Sequence, residues 1–365
     1  MAKKKKIKIG VLTGGGDCPG LNAVIRAVAK KSIIELDAEV IGFIDGYQGL
    51  MDLNYIKLNS KAVSGILTQG GTILGTSNKA NPFRVPIRRR GKLEFLDKSD
   101  ETVKNYKKLG LDALVCIGGD GTLQIALKLL KKGLKIVGVP KTIDNDLDGT
   151  DYTFGFNTAL ETATEAVDKI HSTAESHHRV MIIEVMGRYA GWIALYSGLA
   201  GGGDVILIPE IPYDIKKVCE KIKERTKKGK KFSIIVVAEG AKPKGGEMVV
   251  RKVIKDSPDP LRLGGIGNKI GDDIEEMTGI ETRVTVLGHL QRGGTPSAYD
   301  RILATEFGAA AVELIKKKDF GKMVAIRGNK ITAIPILRAV NRLKHVRKNS
   351  QPVLTARSLG IGFGD

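Results

Sequence analysis

Cysteine is scarce in this chain. Cys18, Cys116 and Cys219 lie far apart, with no CxxC pair and no metal-ligand spacing. That excludes a disulfide framework and a zinc ribbon, and it suits a reducing, cytoplasmic setting. Aromatic residues make up 5% of the sequence, with no aromatic-rich motif of the kind that reads RNA. No apolar run approaches the ~20 residues that span a bilayer, so no membrane association is expected. The opening "MAKKKKIKIGVLTGGGD" has too short an apolar part for a signal peptide. Common catalytic signatures are missing too: there is no GxxxxGK[ST] phosphate loop, no GxSxG nucleophile turn and no protein-kinase HRD loop.

Acidic charge is in the minority, giving a net charge of +19. The lysines fall in runs such as "LKLLKKGLK" and "IKKVCEKIKERTKKGKK", spaced as on solvated helix faces and turns. The excess therefore points to anionic small molecules rather than nucleic acid. A lysine-rich surface is also one route to thermal adaptation. With 365 residues, of which 42% are hydrophobic, the chain can bury a large core and is expected to form two domains.

What is abundant is a repeated unit of short β-branched run, glycine loop and helix. "IKIGVLT" (7–13), "AEVIGFID", "DALVCIGG" (112–119), "KIVGVP" (135–140), "RVMIIEVMG", "DVILIPE" and "FSIIVVAEG" read as buried strands. Between the first two, Leu21, Val24, Ile25 and Val28 share one helical face. This alternation predicts an α/β protein with mostly parallel sheets, whose ligands sit beyond the carboxyl ends of the strands. A boundary is expected near residues 150–156 and a return near 290.

Two loops have the design of an anion cradle. "TGGGDCPG" (13–20) lies between a strand and a helix, where glycines let backbone N–H groups face an anion and the helix dipole assists. A tight turn with Asp17 solvated is the alternative for this loop alone. "CIGGDGT" (116–122) repeats the design, with Asp120 at the strand end, where a carboxylate can hold Mg²⁺, and Thr122 starting a helix. "GGIGNKIG" lacks the last spacing of GxGxxG, which argues against a dinucleotide site. "PKTIDNDLDGTDY" (140–152) gathers Asp144, Asp146, Asp148 and Asp151 directly after a buried strand. It lacks the glycine placement and closing glutamate of a calcium loop. Either it is a solvated acidic turn, or it is an extended segment with Asp144 and Asp146 on one side. In the second case one carboxylate takes a hydroxyl proton while the other arranges metal or water, as phosphoryl transfer requires.

At this point the sequence resembles the phosphofructokinase family. The matching pieces are "GVLTGGGDCPGLNAVIR", "GGTILGTS", "IGGDGT", "KTIDNDLDGTDYTFGFNTA", "EVMGRYAGWIA", "VVAEG" and "ETRVTVLGHLQRGGTPSAYDRILA", in the family's order over roughly residues 7–310. The tail "ARSLGIGFGD" is similar to a bacterial subgroup with both ATP-using and pyrophosphate-using members. The resemblance implies two Rossmann-like three-layer domains with mostly parallel sheets. Residues 1–155 plus about 291–341 would bind the donor, and 156–290 plus about 342–365 the sugar phosphate. The implied reaction, a glycolytic step, moves the γ-phosphoryl of ATP, with Mg²⁺, to the 1-hydroxyl of fructose 6-phosphate. Asp144 would be the general base, Thr142 would touch the substrate and Asp146 would support the metal or the base. Arg188 would stabilise the moving phosphoryl group, with Met186 and Gly187 lining the sugar site and Glu239 accepting from sugar hydroxyls. Gly15, Gly16, Gly119, Asp120, Gly121 and Thr122 would hold the donor phosphates, and Asp120 the metal. His289 and Arg292 would grip the 6-phosphate, joined by Arg179 and Arg283 from a neighbouring subunit. Active sites shared between subunits imply a homo-oligomer, a dimer or a tetramer. Arginine suits such roles because its planar fork donates two parallel hydrogen bonds. His171, His177, His178 and His345 match no role and are read as structural.

Two positions bear on the donor. In the family, glycine at the place of Gly121 goes with ATP, because an aspartate there would crowd and repel the α-phosphate. Lysine at the place of Lys141 is common in pyrophosphate users, yet within this subgroup it also accompanies ATP. The resemblance therefore favours ATP, with pyrophosphate the alternative. Asn78 stands where the family usually has a phosphate-contacting arginine, and Lys79 supplies a charge one residue along. Arg26 matches an effector-site arginine, Lys30 replaces another, and "KKGKK" supplies Lys228 and Lys230 for the effector-site lysines of a later segment. Little allosteric response is expected of this subgroup.

Overall fold

The computed structural model describes residues 6–89, 91–254 and 260–365. Most of the lysine run at the start, read above against a signal peptide, lies outside the described residues. The chain lays down β1 (Lys8–Thr13), crosses through α1 (Leu21–Leu36) to β2 (Glu39–Phe43), and passes α2 (Tyr47–Asp52) to the edge strand β3 (Tyr55–Lys57). A detached hairpin, β4 (Val85–Arg89) with β5 (Lys92–Leu96), precedes α3 (Ser99–Lys108), β6 (Ala113–Gly118), α4 (Asp120–Lys131) and β7 (Ile136–Pro140). Next come α5 (Phe156–His177), β8 (Val180–Val185), α6 (Trp192–Ala200), β9 (Val205–Leu207), α7 (Ile215–Lys227) and β10 (Ser233–Ala238). A second hairpin, β11 (Val250–Val253) with β12 (Leu261–Leu263), leads to α8 (Ile266–Thr278) and β13 (Thr282–Val286). The chain returns through a 3-10 turn (Gly288–Arg292) and α9 (Ala298–Lys316) to β14 (Lys322–Arg327) and β15 (Lys330–Pro335), then α10 (Ile336–Val340) and α11 (Gln351–Ser358).

These strands form a seven-stranded sheet, ordered β15-β14-β7-β6-β1-β2-β3, and a four-stranded sheet, ordered β13-β8-β10-β9. The inner pairs of the first run parallel, and its edges β3 and β15 are antiparallel. The second is parallel throughout. Strands β1, β6, β7, β8 and β10 are buried nearly end to end, as unbroken Val/Ile runs demand when helices cover both faces. On α1 the expected face Leu21, Val24, Ile25 and Val28 is buried, and α9 packs against it. On α7, Val218, Cys219 and Ile222 are buried and the flanking lysines face water, as their spacing predicts.

Strand order explains where ligands gather. β1 has β2 on one side and β6 on the other, so the chain leaves it in opposite directions and a crevice opens at the carboxyl ends. β8 occupies the same position in the small sheet, between β13 and β10. The two crevices confront each other, because Arg292 beyond β13 reaches the loop after β1. Among the described residues no helix is long and apolar enough to cross a membrane.

Candidate active site

Thr13 pairs with Ile117, so the two glycine loops leave the large sheet side by side. The Gly14 N–H donates to the Ile117 carbonyl at 2.9 Å and locks them together. Gly15 has φ 80°, a left-handed turn that favours glycine. Thr122, expected at the donor phosphates, is buried directly beneath the loops: a Cβ at Gly14 would stand 2.6 Å from its hydroxyl oxygen. The helix also begins two positions before Thr122, at Asp120. In front of Gly121 a Cβ would meet nothing within 4 Å, so the room that the sequence reading assigned to a donor phosphate is open. Asp120 accepts from Gln124 at 2.7 Å. Burial raises its carboxyl above the usual range, and Arg188 from the small sheet pulls it back. The segment with Ser77 runs along the first loop (Gly15 N–H to Ser77 O, 3.2 Å; Thr76 hydroxyl to Gly15 O, 2.7 Å), which puts exposed Asn78 and Lys79 on the rim. Lys141 follows β7 and is buried, its ammonium donating to the Gly16 carbonyl. Burial pulls its proton affinity below the ordinary lysine value.

The acidic segment is not extended. Ile143 and Asp144 form a turn and Asn145 has φ 51°, so alternation along a strand is not what relates Asp144 to Asp146. The turn brings them together nonetheless. Burial and then the Asp144 carboxylate hold the Asp146 carboxyl well above the usual carboxylate range. The Thr142 hydroxyl accepts the Asp144 N–H at 3.1 Å and fixes the turn. Asp144 is 8% exposed, and its Oδ1 is buried without a hydrogen-bond partner. An unpaired buried carboxylate oxygen is costly, so a molecule normally supplies the missing donor.

The small sheet provides the opposite wall. Val185 pairs with Ala238, which sets Met186 and Glu239 side by side beyond the strand ends. Gly187 has φ 137° and a Cβ there would strike the Ala190 carbonyl at 2.5 Å, so only glycine fits the bend that turns Arg188 inward. Glu239 accepts the Arg188 N–H at 3.2 Å. Burial, then the Asp144 carboxylate, push its carboxyl up to about 7, which places Glu239 and Asp144 in one cleft. Arg292, at the end of the 3-10 turn, donates to the Asp17 carbonyl at 3.1 Å, while His289 on the same turn is exposed. Buried Gln291 ties that turn to the wall, accepting from the Met186 N–H at 3.3 Å and donating to the Gly288 carbonyl at 3.1 Å.

Arg179 and Arg283 are elsewhere. They flank the amino ends of β8 and β13, joined by Glu281, with Arg179 Nε at 2.6 Å from its carboxylate. The structure does not bring them to this chain's own cleft. The "GGIGNKIG" turn follows β12, a strand of an antiparallel hairpin. The protein's own Glu184 occupies the anion position there, accepting from the Gly265 and Gly267 N–H groups at 2.9 and 2.8 Å. His171 holds the Gly201 carbonyl at 2.6 Å and His345 the Tyr189 carbonyl at 3.1 Å, both structural contacts. Sequence reasoning missed Gln291 and Glu184, and also Glu210, which accepts the Gly191 N–H, and Lys344, which donates to Asn145 Oδ1 in the acidic turn. Gln291 and Glu184 stand inside quoted motifs, and for Glu184 the signal was a carboxylate within the apolar run "RVMIIEVMG"; Lys344 carries no local signal.

Comparison with known proteins finds matches along most of the chain. A model of the family "Phosphofructokinase" matches residues 8–315. The "ATP-dependent 6-phosphofructokinase 2" of Clostridium perfringens is 58% identical over 360 residues, covering 98% of each chain. A "Pyrophosphate--fructose 6-phosphate 1-phosphotransferase" of Streptomyces coelicolor is 51% identical over 359 residues, covering 98% of this chain and 100% of that one. Among solved structures, a phosphofructokinase of Saccharomyces cerevisiae superposes with a TM-score of 0.77 at 35% identity, covering 92% of this chain and 45% of that longer one.

Proposed function

The chain belongs to the phosphofructokinase family, and from that premise we propose that it transfers the γ-phosphoryl group of ATP to the 1-hydroxyl of fructose 6-phosphate, giving fructose 1,6-bisphosphate and ADP. The observation that carries the reading is the bare, buried Oδ1 of Asp144 at the meeting of the two sheets. A sugar hydroxyl placed there donates to Asp144, which takes its proton as the hydroxyl oxygen attacks the γ-phosphorus and the bridging P–O bond to ADP breaks. Arg188, turned inward by Gly187, steadies the charge on the moving group. Thr142 fixes the base, Glu239 accepts from a sugar hydroxyl, and Asp146 supports the base. Gly15, Gly16, Gly119 and Gly121 offer backbone to the donor phosphates, with Asn78, Lys79 and Lys141 at their edges. Mg²⁺ is commonly held by one or two carboxylates plus phosphate oxygens. Asp120 at the second loop fits that demand, and the ion when bound would offset phosphate charge.

The open space before Gly121 supports ATP, whose α-phosphate needs it. His289 and Arg292 are assigned to the 6-phosphate. Arg179 and Arg283, distant from this cleft, would serve the neighbouring subunit of a cytoplasmic homo-oligomer. Residues 1–155 with about 291–341 form the donor domain in this reading, and 156–290 with about 342–365 the sugar domain. Turnover of fructose 6-phosphate with ATP and with pyrophosphate, on one preparation, tests the function. We expect kcat/KM to be higher with ATP. A higher value with pyrophosphate reverses the donor, and no turnover with either overturns the reading.

A further inference from the structure

We propose that Lys344 is a positioning residue for phosphoryl transfer, the centre of a strap, residues 342–346, that holds the Asp144 turn and the Arg188 loop in fixed relation. The proposal rests on the phosphofructokinase reading above. The Lys344 ammonium lies inside the acidic loop, donating to Asn145 Oδ1 at 2.9 Å, the Thr150 carbonyl at 3.1 Å and the Asp151 carbonyl at 2.9 Å. Its backbone N–H donates to the Asp146 carbonyl at 2.7 Å, Leu343 bridges Leu147, and Arg342 pairs with Asp148 at 2.9 Å. This embrace secures the left-handed Asn145, the residue that bends the chain between Asp144 and Asp146.

The same strap grips the opposite wall. The Trp192 indole N–H donates to the Lys344 carbonyl at 2.7 Å, and its ring centroid lies 5.4 Å from the ammonium. His345 meets the Tyr189 carbonyl at 3.1 Å. The Val346 N–H donates at 2.8 Å to Glu210, which also accepts from Gly191 N–H. Tyr189, Gly191 and Trp192 directly follow Arg188. One short segment thus touches the loop of the base on one side and the loop of the charge-stabilising arginine on the other. Neither contact reaches substrate, so the strap acts through geometry, where displacements near 1 Å cost ~100-fold in rate.

The test compares wild type, Lys344→Met and Lys344→Arg in steady-state assays with ATP and fructose 6-phosphate, alongside circular dichroism and thermal midpoints. With fold retained, Lys344→Met is expected to lower kcat roughly ten- to a hundredfold while both KM values stay within about threefold, and Lys344→Arg to recover part of kcat. A Met variant with kcat within about twofold of wild type overturns the proposal, as does a loss confined to KM. If Lys344→Met fails to fold, Trp192→Phe carries the test: a severalfold lower kcat with fold intact supports the strap, and an unchanged kcat overturns it. An inactive wild type would instead bring down the reaction itself, and the proposal with it.

Discussion

The two ends of the four-stranded sheet carry the same kinds of charged group and treat them oppositely. At the amino end, Arg179 and Arg283 share Glu281, and Arg225 meets Asp204 at 2.7 Å; these charges find partners of opposite sign locally. At the carboxyl end, Glu239 faces Asp144 across the cleft, burial forces its carboxyl up to about 7, and Asp144 keeps one oxygen bare. The first arrangement already pairs its charges within the subunit, before any second subunit or ligand arrives. The second leaves free energy to be gained from a molecule that brings its own donors and phosphates, and perturbed groups of this kind cluster where chemistry occurs.

That contrast can be attacked from either end. Asp144→Asn keeps the shape and removes the base, so kcat should fall about a thousandfold in a coupled assay. Arg188→Met removes charge from the path of the phosphoryl group and should cost about a hundredfold in kcat. Gly121→Asp places a carboxylate in the open space and should lower kcat/KM for ATP about tenfold or more, with a smaller loss for pyrophosphate; equal loss would undo the exclusion argument. Glu239→Gln should raise KM for fructose 6-phosphate severalfold and yet stabilise the protein at pH 8. The sign follows from the raised value: the folded state binds this proton more tightly than the unfolded one, an advantage complete below the ordinary glutamate value and lost as pH rises through about 7. A neutral glutamine escapes that loss, and thermal midpoints at pH 5 and pH 8 measure it. At the amino end, Glu281→Gln breaks only exposed pairs and should move the thermal midpoint by no more than about 2 °C.

The same division governs how far the sequence could be read. Buried strands declare themselves as Val/Ile runs, and glycine turns as local patterns, so β1, β6 and the loops after them were legible without coordinates. Local patterns also located the acidic turn, but alternation along an extended strand was the wrong reason for pairing Asp144 with Asp146; a left-handed Asn145 does that work. For Thr122 the sequence shows a hydroxyl beside a glycine loop, and only packing adds that this side chain fills the space under Gly14 and Gly118. Spacing argued against a dinucleotide at "GGIGNKIG", and the carboxylate from β8 that caps this turn was invisible in the sequence. Lys344 stayed hidden because it meets the acidic loop nearly two hundred positions away in the chain, where no periodicity reports contact.

The central claim, that the bare oxygen of Asp144 awaits the acceptor hydroxyl as its base, is tested most directly by measuring binding and turnover in one preparation of Asp144→Asn. Calorimetry should find fructose 6-phosphate bound within about threefold of wild-type affinity while turnover with ATP is lost about a thousandfold. Turnover that survives, or that falls only in step with binding, would contradict the account.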